Sequence, residues 1–111
     1  MVDKKTEQKL SQLFKAVSDE TRRALLTQIC QQGPIRVTEL AAMQKISLNG
    51  TSKHLKVLES AGLIKRHTQG RDHWLSADLS QTEQLALWFN QLRSIWLQRL
   101  DRLDEHLGDN R

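Results

Sequence analysis

Ten residues in the middle of the chain combine the side-chain types that a helix needs to lie against duplex DNA. They are Ser47, Leu48, Asn49, Gly50, Thr51, Ser52, Lys53, His54, Leu55 and Lys56. A helix entering a major groove must carry small polar side chains toward the base edges, cations toward the phosphates, and an apolar back that holds it to its domain. Asn49, Thr51 and Ser52 are short hydrogen-bonding groups in what would be the first turn, where recognition helices meet bases. Lys53, His54 and Lys56 fall near the same edge, within reach of phosphates, while Leu55 and Leu58 point the other way. Ser47 or Asn49 also suits the helix N-cap, because a short side-chain oxygen accepts from the free amides of the first turn. Plain capping and an ordinary exposed turn are the competing readings. Neither explains why a leucine-rich chain holds small or polar residues at every position from Asn49 to His54.

A second cluster follows. Lys65, Arg66, Arg71 and His73 flank a glycine at Gly70, which suits a hairpin turn. Such an arm can run along the backbone or into a minor groove, where arginine is favoured. The alternative is a solvated hairpin. From Thr51 to Trp74 five lysines and arginines stand against two acids, so much of the formal net charge of +4 sits in this stretch. A basic balance suits a polyanionic partner, although many proteins reach this value.

These residues need elements to hold them. The chain of 111 residues fits one domain, 1–111. Leu10, Leu13, Phe14 and Val17 fall at helical spacing and predict a first helix over Thr6–Val17. Ser18 or Asp19 caps a second, ending near Gln32 at Gly33-Pro34, where glycine is expected in a left-handed conformation. Ile35 to Val37 read as an extended link, and Thr38 as the cap of a third helix, Glu39 to about Gln44. The fourth runs to about Ala61, with Gly62 beyond its end. Residues 38–62 thus form a helix-turn-helix and 63–76 a two-stranded wing. Asp78 or Ser80 caps a last helix over 78–107. Its apolar stripe, Leu85, Phe89, Leu92, Trp96, Leu100, Leu103 and Leu107, is spaced 4, 3, 4, 4, 3 and 4, with Trp88 and Ile95 beside it. At roughly 1.5 Å per residue such a helix outruns so small a domain, so part of its face needs a second copy of the chain. The expected interface comprises Leu10 and Leu13 of the first helix (1–17) and Phe89, Leu92, Trp96, Leu100 and Leu103 of the last. The fold class is mainly α with a small β-hairpin, in the order α-α-α-α-β-β-α.

The run Leu13 to Arg23 (LFKAVSDETRR), Thr38 to Ala41 (TELA) and above all Thr51 to Ile64 (TSKHLKVLESAGLI) resemble the ArsR/SmtB family of winged helix-turn-helix repressors. The resemblance covers about Leu10 to Leu75, and the long last helix fits the same plan. It implies a homodimer joined through terminal helices, a recognition helix starting near Ser47, a wing around Gly70, and repression by occupying a promoter, often the protein's own. Two recognition helices about 34–36 Å apart would match a palindromic operator. Many relatives sense metals. The positions of a Cys-x-Cys metal pair correspond to Arg36 and Thr38, which do not suit a soft cation. Asp104 and His106 begin a pair-of-helices metal pattern whose second half the chain lacks. No metal and no cofactor is therefore expected, and the inducer is left open. A groove near Trp88 and Trp96, a protein partner, or the protein's own level are the options, beside a metal or thiol response at an unfamiliar site. Cys30, alone, reads as a small buried hydrophobe.

A protein-interaction module that kept the fold and lost DNA is the reading from another class. The sequence offers no Ser/His/Asp or Cys/His constellation, no paired carboxylates on a cleft and no phosphate-cradling glycine loop, so no enzyme is expected. With no apolar run near 18 residues, no apolar leader and one cysteine, the chain reads as soluble, cytoplasmic and free of membrane.

Overall fold

Short side-chain oxygens start three of the helices. The computed structural model describes residues 3–109. Asp3 accepts from the Thr6 amide ahead of α1 (Lys4–Val17), Asp19 from Arg22 ahead of α2 (Glu20–Gln32), and Ser47 from Gly50 ahead of α4 (Leu48–Ser60). Each bond satisfies a first-turn donor that has no partner within the helix.

Gly33 ends α2 in extended backbone (φ −61°, ψ 149°), not in the left-handed conformation expected. Its lack of a side chain serves close approach: a Cβ there would lie 2.6 Å from the Ile29 carbonyl oxygen. Gly62 and Gly70 do take positive φ, 78° and 65°.

Ile35 and Arg36 are not a link but a strand, β1 (Ile35–Arg36). It pairs antiparallel with β3 (Asp72–Ala77), Ile35 opposite Leu75 and Arg36 opposite Trp74. The sheet is therefore three-stranded, β1-β3-β2, rather than a lone hairpin, and the third strand braces the wing's base against the helices. β2 (Ile64–Gln69) meets β3 in unbroken register from Ile64–Ala77 to Gln69–Asp72, leaving Gly70-Arg71 as the turn. α3 (Val37–Gln44) begins ahead of Glu39. Arg36, not Thr38, holds its N-cap position and reaches forward to Glu39.

Leu13, Ala16, Leu25, Ile29, Leu40, Leu55, Leu58, Leu63 and Leu75 meet in one core drawn from α1 to α4 and the sheet. Fully burying such a side chain contributes about 1.5–3 kcal/mol. Leu13 thus belongs to the core and not to an outer face, a correction to its expected place; Leu10 is buried too. The inward stripe of α1 is already used by α2 and α4.

The last helix needs no direct cap. A short 3-10 turn, Ser80–Thr82, leads into α5 (Glu83–Asp109). Asp78 accepts from the Ser80 hydroxyl at 2.7 Å and the Ser80 amide at 3.1 Å, and Lys65 lies 3.2 Å away. These three, the hydroxyl first, hold its carboxyl down at about 2. Near its start α5 packs by Leu85 on the core and by Trp88 and Phe89, edge-on to Phe14 with centroids 5.4 and 6.0 Å away. Further along, Leu92, Ile95, Trp96, Leu100, Leu103 and Leu107 are all exposed, and the molecule reaches 72 Å along its longest axis.

Candidate nucleic-acid interface

The helix α4 has two opposed stripes. Thr51, Leu55 and Leu58 are buried. Asn49, Lys53, Lys56 and Ser60, spaced 4, 3 and 4, are exposed on the other side. Periodicity of 3.6 makes each set a single line along the helix. The helix leans on α3 through a turn that pivots on Lys45, held at φ 54° with its amide on the Ala41 and Ala42 carbonyls. No glycine marks that pivot.

Several expected contacts divide on this geometry. Asn49, Lys53 and Lys56 stand outward as expected, and Ser52 is half-buried beside them. Ser47 is exposed, with its hydroxyl oxygen accepting from the Gly50 amide, so it is the cap. Thr51 is the clear correction. It is 0% exposed, and its hydroxyl donates to the Ser47 carbonyl at 2.9 Å. The methyl fills the core while the hydroxyl is satisfied on its own helix, so no atom of it is offered to a ligand.

His54 is half-buried and does not share the outward stripe. It turns sideways toward the α1–α2 corner, where its Nδ1 lies 3.4 Å from Arg22 Nη1 and 3.9 Å from Asp19 Oδ2. The Asp19 carboxyl is held below the ordinary carboxylate range, first by the Arg22 amide and then by the Arg22 charge.

In the wing, Arg66 points inward. Its Nε and Nη2 donate to Glu59 Oε1 at 3.0 and 2.7 Å, which staples β2 to α4. Both partners are half-buried, so this arginine is committed to structure. Lys65 pairs with Asp78 but is largely exposed. Arg71 is exposed at the turn, and His73 is exposed with its Nδ1 3.4 Å from Thr68 Oγ1.

Two cations escaped sequence reasoning. Lys15 of α1 lines a groove with Lys56, which extends the positive edge of α4 onto a second helix. Arg36 stands 5.7 Å over the Trp74 ring and lines a cleft beside the wing's turn with Thr38, Arg71, Asp72 and His73. Neighbours across elements carry no periodic signal.

Cys30 is exposed, not buried; it follows the core residue Ile29 and so faces about 100° away. Among the described residues no three His, Cys, Asp or Glu side chains gather as a metal-holding group, and no helix is long and apolar enough to cross a membrane. Asp104 and His106 are exposed on α5.

Comparison with known proteins agrees with this architecture. The family model described as winged helix-turn-helix DNA-binding matches residues 18–65. The arsenical resistance operon repressor of Bacillus subtilis (strain 168) is 33% identical over 88 residues, which cover 79% of this chain and 82% of that protein. The crystal structure of an ArsR family transcriptional regulator is similar with a TM-score of 0.76 at 30% identity, covering 86% of this chain and 96% of that one. A homodimeric winged helix-turn-helix DNA-binding domain from Mycobacterium bovis shares the fold with a TM-score of 0.64 at 21% identity, covering 92% of this chain and 93% of its own.

Proposed function

Because this chain belongs to the ArsR/SmtB family of winged helix-turn-helix transcriptional regulators, which bind DNA and are not enzymes, we propose that it is a dimeric repressor reading a palindromic operator. The observation that carries the reading is the opposition of the two stripes on α4. Asn49, Lys53 and Lys56 face outward because Thr51, Leu55 and Leu58 are locked inward. Asn49 and Ser52 meet base edges in the major groove, and Lys53 and Lys56 meet phosphates on its walls. Lys65, Arg71 and His73 of the wing follow the backbone on one side.

The dimer is argued from α5. The exposed stripe Phe89, Leu92, Trp96, Leu100 and Leu103 is too apolar to stand in water. The spacing 4, 3, 4, 4, 3, 4 reads the same from both ends, with Trp96 at its midpoint. Such a stripe suits an antiparallel helix pair with a two-fold axis near Trp96, because there each residue pairs with the one equally far on the other side of the axis. The Mycobacterium bovis domain of the same fold is described as homodimeric. Leu10, beside Trp88 in the groove between α1 and α5, borders this surface.

A response to metal is not carried over from the arsenical resistance relative. Arg36 and Thr38 stand where a soft-metal pair would be needed, and the Arg36 guanidinium, paired with Glu39 over Trp74, would repel a cation. The repressor acts in the cytoplasm, where the DNA is.

The test is binding of the full chain to duplex DNA from upstream of its own coding sequence, in competition with random duplex. A preference of at least about 10³-fold is expected of a specific regulator. Equal affinity for both would overturn the reading.

A further inference from the structure

The flank of α4 between its two stripes carries a contact that neither core packing nor DNA binding requires. The Arg22 guanidinium donates from Nε to the Ala16 carbonyl at 2.8 Å and from Nη2 to the Lys15 carbonyl at 2.9 Å. One arginine of α2 thereby closes the last turn of α1. Its remaining Nη1 lies 3.4 Å from Nδ1 of His54, on α4. Three helices therefore converge on one planar group that has donors only. In the neutral tautomer whose Nδ1 carries no proton, His54 gives that third nitrogen an acceptor, with Asp19 Oδ2 3.9 Å from the same Nδ1. α1 continues the chain of contacts through Phe14, which packs edge-on against Trp88 and Phe89 of α5.

We infer that His54 is a positioning residue for DNA reading: through Arg22 it sets the rotation of α4 against the layer formed by α1 and α5. The inference rests on α4 being the reading helix. Leu55 and Leu58 fix how deep α4 sits, but apolar contacts are not directional. A hydrogen bond to a guanidinium that is itself held at two carbonyls is directional, and it fixes the angle at which Asn49 and Lys53 meet the groove. Base readout depends on that angle; contact with phosphates depends on it far less.

The experiment measures operator and random-duplex affinity over a range of salt for the full chain, His54→Ala, His54→Asn and Arg22→Lys. Thermal melts establish that each variant is folded. Asparagine keeps a carbonyl oxygen near the place of Nδ1, so its side chain can accept from Arg22. For His54→Ala the expected result is a loss of about tenfold on the operator, unchanged affinity for random duplex and an unchanged salt slope. His54→Asn recovers most of that loss, and Arg22→Lys adds little to His54→Ala in the double variant. A salt slope lower by about one in His54→Ala would show a direct phosphate contact and overturn the inference. So would an unchanged operator affinity, an equal loss on both duplexes, or no recovery with asparagine. If the unaltered chain preferred no duplex, the DNA-reading role of α4 would fall, and this inference with it.

Discussion

The winged unit and the α5 rod dispose their apolar side chains in opposite ways. From α1 to β3 most leucines and isoleucines disappear into one core, Leu48 at the start of α4 staying exposed, and what remains outside is largely polar and basic. Along α5 the reverse holds: Trp96 is 60% exposed and Phe89 55%, although both lie on a stripe as regular as any in the core. The first region is complete as one chain. The second is left with an uncovered apolar stripe, which the proposed dimer would cover with another copy of itself. In the proposed repressor the contrast separates two tasks: the winged unit would set what is touched on DNA and the rod how far apart two such units stand.

The strongest way to break this contrast is Trp96→Asp. It should give a monomer by sedimentation and weaken operator binding by about 10²–10⁴-fold, since the second site is no longer tethered to the first. The melting transition of the winged unit should survive, and a variant that stayed dimeric would remove α5 from the interface. Leu55→Ala attacks the other region. It should lower stability by about 2–5 kcal/mol in a denaturant titration, because a leucine that is 0% exposed leaves a cavity behind it.

Lys53→Ala sharpens the assignment of the outward stripe. The slope of log affinity against log salt should fall by about one, uniformly across sequences. Thr51→Val tests the inward stripe at the next position but one. A loss of about 0.5–1.5 kcal/mol in stability is expected from the missing hydrogen bond, with the ranking of operator variants unchanged. A changed base preference would place Thr51 back at the DNA.

The smallest effect belongs to the joint between the two regions. Asp78, held at about 2 by the Ser80 hydroxyl, the Ser80 amide and Lys65, has a folded value below its ordinary 3.8. Its contribution is therefore present above the ordinary carboxylate range and lost as pH falls through about 2. Asp78→Asn should melt slightly lower at neutral pH, with the difference closing between pH 4 and 2 as the wild-type carboxyl is protonated.

What was legible in the residues is what repeats locally. Helical spacing placed α4 and the stripe of α5, and the glycines Gly62 and Gly70 marked real turns. What failed was pairing between distant segments. Ile35-Arg36 is too short to alternate, and it becomes a strand by meeting Leu75 and Trp74 some forty residues later. Arg66 and His54 have the right chemistry for phosphate, but Glu59 and Arg22 claim them. Thr51 misleads for a different reason: its hydroxyl closes on its own helix, which lets a polar residue occupy a core position.

A footprint of the wild-type chain on its own upstream DNA, repeated with Trp96→Asp, tests the central claim most directly. The account predicts two protected patches on one face of the duplex, about 10–10.5 base pairs apart or a multiple of that, both fading in the variant. A single patch that Trp96→Asp left intact would contradict it.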